Sequence, residues 1–589
     1  MTSQQLKVHK LNESFSAIIS QSPQDTQKLQ QIYDFLKAEK PDAKYNFKVQ
    51  RGWESPYRFF TTIQKDKNGN VALKINNGHL ELIKKYGITD ETIKEIFGKS
   101  EFSEELVNKE LEYIKSLMPF SPYDYQERCA RDCLLTPKQI SLAATSAGKS
   151  LIIFMIIYFM YRNNKKGYIV VPNINLLTQL LADFEDYFKP EYKDLKDEFL
   201  SHIEIQGGGN QSTFDSFLTI STWQSLMNKR EVLDRAEFIL CDELHKYKSE
   251  VTSEIIKETN NAKYKWGLTG TLPEDEGDKL ELIGMFGYPK RYIRARELIE
   301  RGLATPVKIN SLFLNYNQND KNVFNAISKT NWQKQLAYIK EHESRNNFIE
   351  NLAIKVKDSG NTLVLGTHTE HIKSLFLNIM KKMHPTVEVQ NKDITGKKSF
   401  EFQLRYGVYF LNGEDDAKTR ELTRKILEEK HYILKFEDDF EVINEKDYII
   451  IRDNEIKLAK EKDEDKIQFK EIINDVQNYK FKTKSIISAI LRNEILVSNY
   501  QLLSTGISIK RLFNAILASP LKAYTTITQT IGRGLRLHPD KKIFNLYDVV
   551  DNFAVRQPSG IFVKQYNERC RNSYNPEEFP IQEVTVQLI

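Results

Sequence analysis

The chain has 589 residues, of which 40% are hydrophobic and 28% charged, and its formal net charge is +5. This composition predicts a soluble globular protein of several domains, and the small net charge neither proves nor excludes a nucleic-acid partner. Four scattered cysteines argue against a disulfide framework and favour a reduced, cytoplasmic location. We expect neither a signal peptide nor a membrane span, because the longest apolar run, Leu151–Tyr161, falls short of ~20 residues.

Residues 1–115 are predicted to form a small α+β domain. Its helical patterns, such as Asp25–Lys37, flank strand patterns joined by a hairpin turn at Lys67–Asn70. Basic and aromatic side chains mix in its middle, at Lys48, Arg51, Trp53 and Arg58. Such a mixture suits nucleic acid, and a solvated hairpin with one packed tryptophan is the alternative.

The next domain opens with Tyr123, Tyr125 and Gln126, just upstream of a loop of small residues. A glutamine at this place can read an adenine edge while an aromatic ring stacks nearby. The loop lies within Lys138–Ser150, KQISLAATSAGKS, between a buried-strand pattern and a long apolar helix. That order is typical of a phosphate-binding loop, whose backbone N–H groups cradle a polyphosphate.

In such a loop Lys149 would reach the β- and γ-phosphates, and the Ser150 hydroxyl would bind Mg²⁺. Ala143 stands where the usual pattern has glycine. An ordinary strand-to-helix turn that contains GKS by chance is therefore the alternative at this point.

Buried-strand patterns alternate with helices after the loop, which predicts a parallel sheet. They cover Tyr168–Val171, Phe217–Ser221, Phe238–Cys241 and Trp266–Leu268. Polar residues follow each of them, at the edge where parallel sheets bind ligands. Among these, Asp242 can hold the water shell of Mg²⁺ and Glu243 can orient and deprotonate an attacking water.

A second set of strand patterns predicts a second parallel sheet, with Leu303–Ile309 as the exit from the first. The set comprises Thr362–Gly366, Tyr406–Leu411, Ile495–Ser498, Ala515–Ala518 and Ile543–Tyr547. Near its end Gln529, Arg533 and Arg536 are predicted to share one helix face. Two arginines on one face can clamp a γ-phosphate, and a solvated basic helix is the alternative.

The ordered set GKS, DELH, TGT, STG and QTIGRGLR resembles the superfamily 2 helicases over about residues 120–550. More narrowly the chain is similar to the UvsW-like helicases of T-even bacteriophages. The segments that carry this resemblance are TSAGKS at Thr145–Ser150, GGGN at Gly207–Asn210, TWQS at Thr222–Ser225, MFG at Met285–Gly287, NGEDDAKTR at Asn412–Arg420 and STGIS at Ser504–Ser508. Ser508 stands where many members have aspartate, which we interpret as subfamily character.

Strand patterns in the second half of the chain predict a β-rich insertion that departs from the family pattern. The resemblance implies two RecA-like parallel-sheet domains in tandem, the second of which holds this insertion, and a small N-terminal α+β domain. The domains expected from it span 1–115, 116–308 and 309–553, followed by a C-terminal extension at 554–589. The insertion, about 431–480, carries 14 Asp and Glu against 9 Lys and Arg. An acidic surface repels phosphates, so we expect a protein-docking module or a spacer there.

The resemblance also implies residue roles. The implied ATP-binding residues are Gln126, Thr145, Ser146, Ala147, Gly148, Lys149 and Ser150. The implied catalytic residues are Lys149, Asp242, Glu243, His245, Gln529, Arg533 and Arg536, with Ser150 and Asp242 on Mg²⁺. Thr269 and Thr271 would couple hydrolysis to movement of the nucleic acid. The implied nucleic-acid contacts are Gly207, Gly208, Gly209, Thr222, Thr367 and Thr505.

An ATP- and Mg²⁺-dependent DNA helicase or translocase is the function that follows, with ATP expected between the two sheets. Branched DNA such as forks, Holliday junctions and R-loops is the implied substrate, in phage recombination, repair or replication. We expect a monomer without membrane contact, and an RNA–DNA hybrid stays open as a further partner. The alternatives are a duplex translocase of a restriction-type system, an RNA helicase and an ATP-gated annealing protein.

Overall fold

A computed structural model describes most of the chain in a series of ranges. They are residues 6–41, 43–65, 71–207, 209–247, 250–327, 332–389, 397–413, 415, 417–428, 431–435, 440–444, 447–452, 455–458, 466–469, 485–489, 493–500, 509–521, 524–554 and 560–588. The chain divides into two compact units, Met1–Leu298 and Ile299–Ile589. No helix in the described ranges is long and apolar enough to cross a membrane.

The first unit begins with a four-stranded antiparallel sheet in the spatial order Lys7–Lys10, Phe15–Ile19, Val71–Asn76, Thr61–Lys65. A two-stranded ladder pairs Lys37–Glu39 with Tyr57–Phe59. The accompanying helices are Pro23–Phe35, Ala43–Tyr45, Phe47–Gln50, Asn77–Tyr86 and Asp90–Phe97. Their apolar faces bury one core that runs in sequence from Leu6 to Ile96, so this part is the predicted α+β domain.

A seven-stranded parallel sheet forms the rest of the first unit. Its spatial order is Pro289–Ile293, Lys138–Ala143, Tyr264–Thr269, Phe238–Cys241, Gly167–Val171, Leu218–Thr222, Ile203–Gln206. The five central strands are buried along their whole length, because helices cover both faces. These helices are Glu104–Leu117, Asp124–Leu135, Lys149–Arg162, Ile174–Asp186, Pro190–Tyr192, Lys193–Ser201, Trp223–Met227, Arg230–Arg235, Leu244–Lys246, Glu250–Glu258, Glu276–Phe286 and Ala295–Glu300.

The second unit contains a second seven-stranded parallel sheet. Its spatial order is Val408–Leu411, Ile495–Asn499, Asn361–Gly366, Leu512–Leu517, Phe544–Asn552, Val307–Asn315, Ile581–Gln587. Its helices are Gln318–Ala326, Trp332–Glu341, Glu343–Lys357, Thr369–Met383, Lys397–Tyr406, Ala417–Glu428, Tyr524–Gly534, Ile561–Arg569, Cys570–Tyr574 and Asn575–Glu577. Two parallel sheets in tandem confirm the predicted fold class.

The predicted insertion contains β-structure where the sequence places it. One three-stranded antiparallel sheet has the order Phe440–Asn444, His431–Lys435, Ser485–Ala489. Another has the order Glu455–Leu458, Tyr448–Arg452, Ile467–Gln468. The strand Ser485–Ala489 lies beyond the predicted end at residue 480, so the β-rich insertion is longer than expected.

The structure draws domain limits that differ from the sequence-based ones. The limit at 115 falls inside helix Glu104–Leu117, whose apolar side chains pack in the core of the first large sheet. The segment 303–309 follows the end of the first unit at Leu298, and its last three residues begin strand Val307–Asn315, which pairs with two strands of the second sheet. The predicted limit at 308 therefore falls inside this strand. Ile581–Gln587 forms one of those pairs, so residues 554–589 contribute a strand to the second sheet rather than only extending it.

Candidate functional site: the phosphate loop and its neighbours

The phosphate loop connects the buried strand Lys138–Ala143 to helix Lys149–Arg162, as its sequence predicts. Two of its residues are left-handed, Ser146 with φ 72° and Gly148 with φ 71°. A Cβ at Gly148 would also lie 2.4 Å from Gln126 Nε2, so both the left-handed backbone and this contact favour glycine. Helix Lys149–Arg162 starts directly behind this loop, which gives the site the positive end of a helix dipole.

Gln126 is bonded to this loop rather than to solvent. Its Nε2 donates to the Ala147 carbonyl at 2.9 Å, and Tyr125 donates its hydroxyl to the same carbonyl at 3.0 Å. The Gln126 Oε1 accepts from the Tyr123 backbone N–H at 2.8 Å. The half-exposed Tyr123 ring stacks on Tyr125 with centroids 5.8 Å apart. Gln126 is thus held next to the loop, and its role in recognising adenine stays a prediction.

A chain of polar contacts joins the loop to DELH and TGT. Lys149 Nζ lies 3.5 Å from Glu243 Oε1, and His245 Nδ1 lies 3.4 Å from Glu243 Oε2. His245 Nδ1 is also 2.8 Å from Thr269 Oγ1, whose hydroxyl donates to the Thr271 carbonyl at 2.9 Å. Because that hydroxyl has only one hydrogen, His245 must be the donor to Thr269. Five residues chosen from the sequence therefore touch in series.

The two acidic residues of DELH have different electrostatic settings. Burial and the neighbouring Glu243 carboxylate raise the pKa of Asp242 to about 6. Burial would also raise the pKa of Glu243, but attraction by Lys149, His245 and Lys246 holds that pKa below its ordinary value. Glu243 therefore stays ionised near neutral pH, as a general base requires. Its backbone is left-handed with φ 48°, a strained conformation of the kind that clusters at functional sites.

The donor set for a magnesium ion consists of the Ser150 hydroxyl and the Asp242 carboxylate. Both are hard oxygen donors, and Mg²⁺ is held by one or two carboxylates plus waters and substrate phosphates. Asp242 is a half-buried carboxylate destabilised by the neighbouring Glu243 carboxylate, so a cation would relieve the repulsion. The residues present thus fit Mg²⁺. In this structure the Ser150 hydroxyl is bonded to the Tyr187 hydroxyl at 2.7 Å, a partner that the sequence does not reveal.

A second group of predicted residues meets at the carboxyl ends of the strands Ile203–Gln206 and Leu218–Thr222. Gly207 and Asn210 exchange backbone hydrogen bonds of 3.1 Å. A Cβ at Gly207 would lie 3.0 Å from Ser225 Oγ and 3.6 Å from Thr222 Oγ1. Thr222 accepts from the Ser225 N–H and so caps the helix Trp223–Met227. The structure therefore brings the GGGN and TWQS segments together.

Some predicted nucleic-acid residues cannot be placed. Gly208 and Thr505 lie outside the described residues, as does the whole segment 501–508. Thr367 is exposed directly after strand Asn361–Gly366, and its N–H donates to Ser519 Oγ at 3.3 Å. Gly209 is left-handed with φ 91°.

The arginine segment of the second unit differs from its prediction. Helix Tyr524–Gly534 carries Gln529 and Arg533, but it ends before Arg536. Arg536 lies in the following turn, where its N–H contacts the Arg533 carbonyl at 3.4 Å. The placement of all three side chains on one helix face is therefore wrong. At the end of the helix Gly534 packs directly against the Phe544 ring, and the chain then turns toward the next strand.

Arg58 has a structural partner that the sequence does not show. Its guanidinium bonds Asp278 at 3.2 Å and also Glu281, both on helix Glu276–Phe286. It thus ties the N-terminal domain to the parallel-sheet part of the first unit. Trp53 is 72% exposed, and Arg51 lies over the Phe47 ring at 5.0 Å. The basic and aromatic surface that stays open is therefore smaller than predicted.

Comparisons with known proteins agree with this arrangement. Residues 119–274 match the family described as type III restriction enzyme, res subunit. The ATP-dependent DNA helicase UvsW of Enterobacteria phage T4 is 27% identical over 483 residues, covering 80% of this chain and 76% of that protein.

Among solved structures, the crystal structure of T4 UvsW is similar over the full length of this chain and of its own chain, at 23% identity with a TM-score of 0.41. A fragment of an HsdR subunit of a type I restriction enzyme from Vibrio vulnificus matches 85% of this chain and 74% of its own at 15% identity and a TM-score of 0.50. The HsdR likeness concerns the fold alone. Together with the loop, DELH and TGT in one connected site, the sequence matches show an ATP-dependent helicase that is similar to UvsW of phage T4.

Proposed function

We propose that the protein hydrolyses ATP to translocate along DNA and to remodel branched DNA such as forks, Holliday junctions and R-loops. The observation that carries the proposal is the series of contacts from Lys149 through Glu243 and His245 to Thr269. These contacts link the phosphate loop to the TGT segment. A conformational change at the γ-phosphate can therefore be passed directly to the carboxyl end of strand Tyr264–Thr269. The named activity of the phage relative supports DNA as the nucleic acid.

In the proposed reaction Lys149 holds the β- and γ-phosphates in the loop, and Glu243 accepts a proton from the attacking water. His245 connects the two segments, because its Nδ1 lies close to both the Glu243 carboxylate and the Thr269 hydroxyl. When bound, Mg²⁺ would be held by Ser150 and Asp242, and it would neutralise phosphate charge. Arg533 and Arg536 of the second unit supply further positive charge to the γ-phosphate during hydrolysis.

The proposed nucleic-acid path includes the turn at Gly207 and the residues Thr222, Thr367 and Thr505. Small hydroxyl and backbone groups suit phosphate contacts, which position a strand without reading its sequence. We therefore expect binding that depends strongly on salt and little on sequence. The N-terminal domain adds Lys48, Arg51 and Trp53 as a further basic and aromatic surface for DNA.

The exchange Glu243→Gln tests the proposed hydrolysis. It keeps size and hydrogen bonding but removes the base, so DNA-stimulated turnover should fall by about 10²–10⁴-fold. Lys149→Ala should abolish turnover by removing phosphate binding. Glu276→Gln is the matched control, because Glu276 is an exposed carboxylate that pairs with Lys279 at the protein surface. Near-normal phosphate release from both site variants would refute the assignment.

The substrate class needs its own measurement. Unwinding and branch migration are compared on single-stranded, forked, four-way and RNA–DNA hybrid substrates of matched length. We expect forked and four-way DNA to be processed fastest, whereas an RNA helicase would prefer RNA strands.

The match to the restriction-enzyme family favours a second candidate, translocation along duplex DNA without strand separation. Displacement of a triplex strand with no unwinding of forks would support that candidate.

A further inference from the structure

The turn that carries Arg536 follows the last residue of a helix. The final carbonyl groups of any helix have no partner within it, and buried carbonyls need donors from elsewhere. At the end of helix Tyr524–Gly534 and in the turn that follows it, this requirement falls on the carbonyls of Gly534, Leu535 and Arg536. The groups that satisfy them also fix the backbone from which the Arg536 side chain extends.

Thr305 supplies two of these donors. Its backbone N–H donates to the Leu535 carbonyl at 2.7 Å, and its hydroxyl donates to the Arg536 carbonyl at 3.0 Å. Lys541 supplies the third, since its Nζ donates to the Gly534 carbonyl at 3.0 Å and to the Lys510 carbonyl at 2.8 Å. Thr305 is completely buried, so water does not compete for these bonds.

Thr305 belongs to the first residues of the second unit. It lies between helix Ala295–Glu300 and strand Val307–Asn315, a few residues after the limit of the first unit at Leu298. The next residue, Pro306, accepts from the Phe544 N–H at 2.8 Å, and the Phe544 ring packs against Gly534. The entry to the second unit and the Arg536 turn are therefore bonded to each other directly.

We propose that Thr305 is a positioning residue for Arg536. Its hydroxyl fixes the Arg536 carbonyl, and through it the direction in which the guanidinium extends. This inference rests on the proposed role of Arg536 in ATP hydrolysis. Because Thr305 sits where the chain enters the second unit, displacement of that entry segment also displaces the arginine turn.

The test uses the full chain and two exchanges of one side chain. Thr305→Val keeps the shape and the N–H bond to Leu535 but removes the hydroxyl, whereas Thr305→Ser keeps the hydroxyl. For Thr305→Val we expect kcat for DNA-stimulated ATP hydrolysis to fall about tenfold, because small misplacements of a catalytic group are costly. The KM for ATP should change less than about twofold, since phosphate binding belongs to Lys149 and the first unit. Thr305→Ser should restore kcat.

A purely structural role would give a different result. The control is Thr423→Val, which removes another buried threonine hydroxyl of the second unit, bonded to the Thr419 carbonyl at 2.9 Å. Both valine variants should lose similar thermal stability, but only Thr305→Val should lose kcat. Equal kcat in the two valine variants, or loss of kcat in Thr305→Ser, would overturn the inference.

A double-mutant cycle with Arg536→Ala separates the inference from the proposed function. If Thr305 acts through Arg536, then Thr305→Val causes no further loss of kcat in the Arg536→Ala background. If the two substitutions instead lower kcat by independent factors that multiply, Thr305 does not act through Arg536 and the positioning role is overturned. The proposed role of Arg536 in hydrolysis then still stands. Full activity of Arg536→Ala alone would refute the proposed role of Arg536, and the inference with it.

Discussion

At the scale of the residue, Gly534 is the last residue of the arginine helix and lies directly against the Phe544 ring. A Cβ at this position would lie 2.3 Å from the Phe544 ring, which is itself fully buried. A ring held in a packed core cannot move aside as a flexible side chain can. Glycine is thus required at position 534 because any side chain would clash with the Phe544 ring, although the backbone of Gly534 is not left-handed.

We expect Gly534→Ala to lower the free energy of unfolding by about 1–3 kcal/mol, the usual cost of overpacking. It should also lower kcat, because Arg533 and Arg536 flank this residue. Gly413→Ala is the matched control, since a Cβ there has open space. Urea unfolding and phosphate release measure the two effects. If Gly534→Ala is as stable as Gly413→Ala, the close contact with Phe544 does not govern stability.

Single residues also show what the sequence could and could not predict. The spacing of small residues before Lys149 indicates the phosphate loop, and the DE pair after a buried strand indicates its partner. The bond between Ser150 and Tyr187, and the bonds from Thr305 to the Arg536 turn, join residues far apart in sequence. No local pattern marks such contacts, because they depend on how the elements pack.

At the scale of the element, helix Glu276–Phe286 anchors the N-terminal domain. Besides the Arg58 ion pairs, the His79 Nε2 lies 2.6 Å from the Leu280 carbonyl. A Cβ at Gly284 would lie 2.7 Å from this imidazole nitrogen, so the helix and the ring are in close contact. His79 is completely buried, and burial lowers its pKa to about 4.

The buried imidazole makes stability depend on pH. Unfolded histidine has a pKa near 6.5, so between about pH 6.5 and 4 the unfolded state binds a proton that the folded state does not. The contribution of His79 to the free energy of unfolding is therefore fully present above this window. It is lost as the pH falls through the window, by on the order of 3 kcal/mol. Urea unfolding at pH 7 and pH 4.5 should show a smaller pH effect for His79→Gln than for the wild type.

The exposed His202 offers the control, because His202→Gln should leave the wild-type pH dependence in place. The glutamine at position 79 can still donate to Leu280, which separates titration from loss of the bond. An identical pH dependence in all three proteins would contradict the role of His79.

Elements differ in how well the sequence predicts them. The buried central strand Phe238–Cys241 is an uninterrupted apolar run, and its predicted and observed bounds agree. The edge strands Ile203–Gln206, Pro289–Ile293 and Ile581–Gln587 escaped prediction, because a half-exposed strand keeps charged and polar side chains. The predicted domain limit at residue 308 falls inside strand Val307–Asn315, since periodicity does not state where one domain ends and the next begins.

At the scale of the whole molecule, the proposed tasks divide between the two units. Each unit has its own parallel sheet and its own apolar core. The phosphate loop, DELH and TGT lie in the first unit, and the arginine segment lies in the second. Nucleotide binding and rapid hydrolysis should therefore be separable.

A fragment of residues 1–302 tests this division. It ends at Gly302, whose N–H closes the turn after helix Ala295–Glu300, because a cut at residue 298 would interrupt that helix. With its sheet and core complete, the fragment should fold and bind ATP about as tightly as the full chain, as a fluorescent ATP analogue would report. Hydrolysis should fall by at least about 10³-fold, the effect of losing arginines that stabilise the γ-phosphate. The same fragment with Lys149→Ala is the control and should lose binding. A fragment that hydrolyses ATP at the full-length rate would show that Arg533 and Arg536 take no part in the reaction.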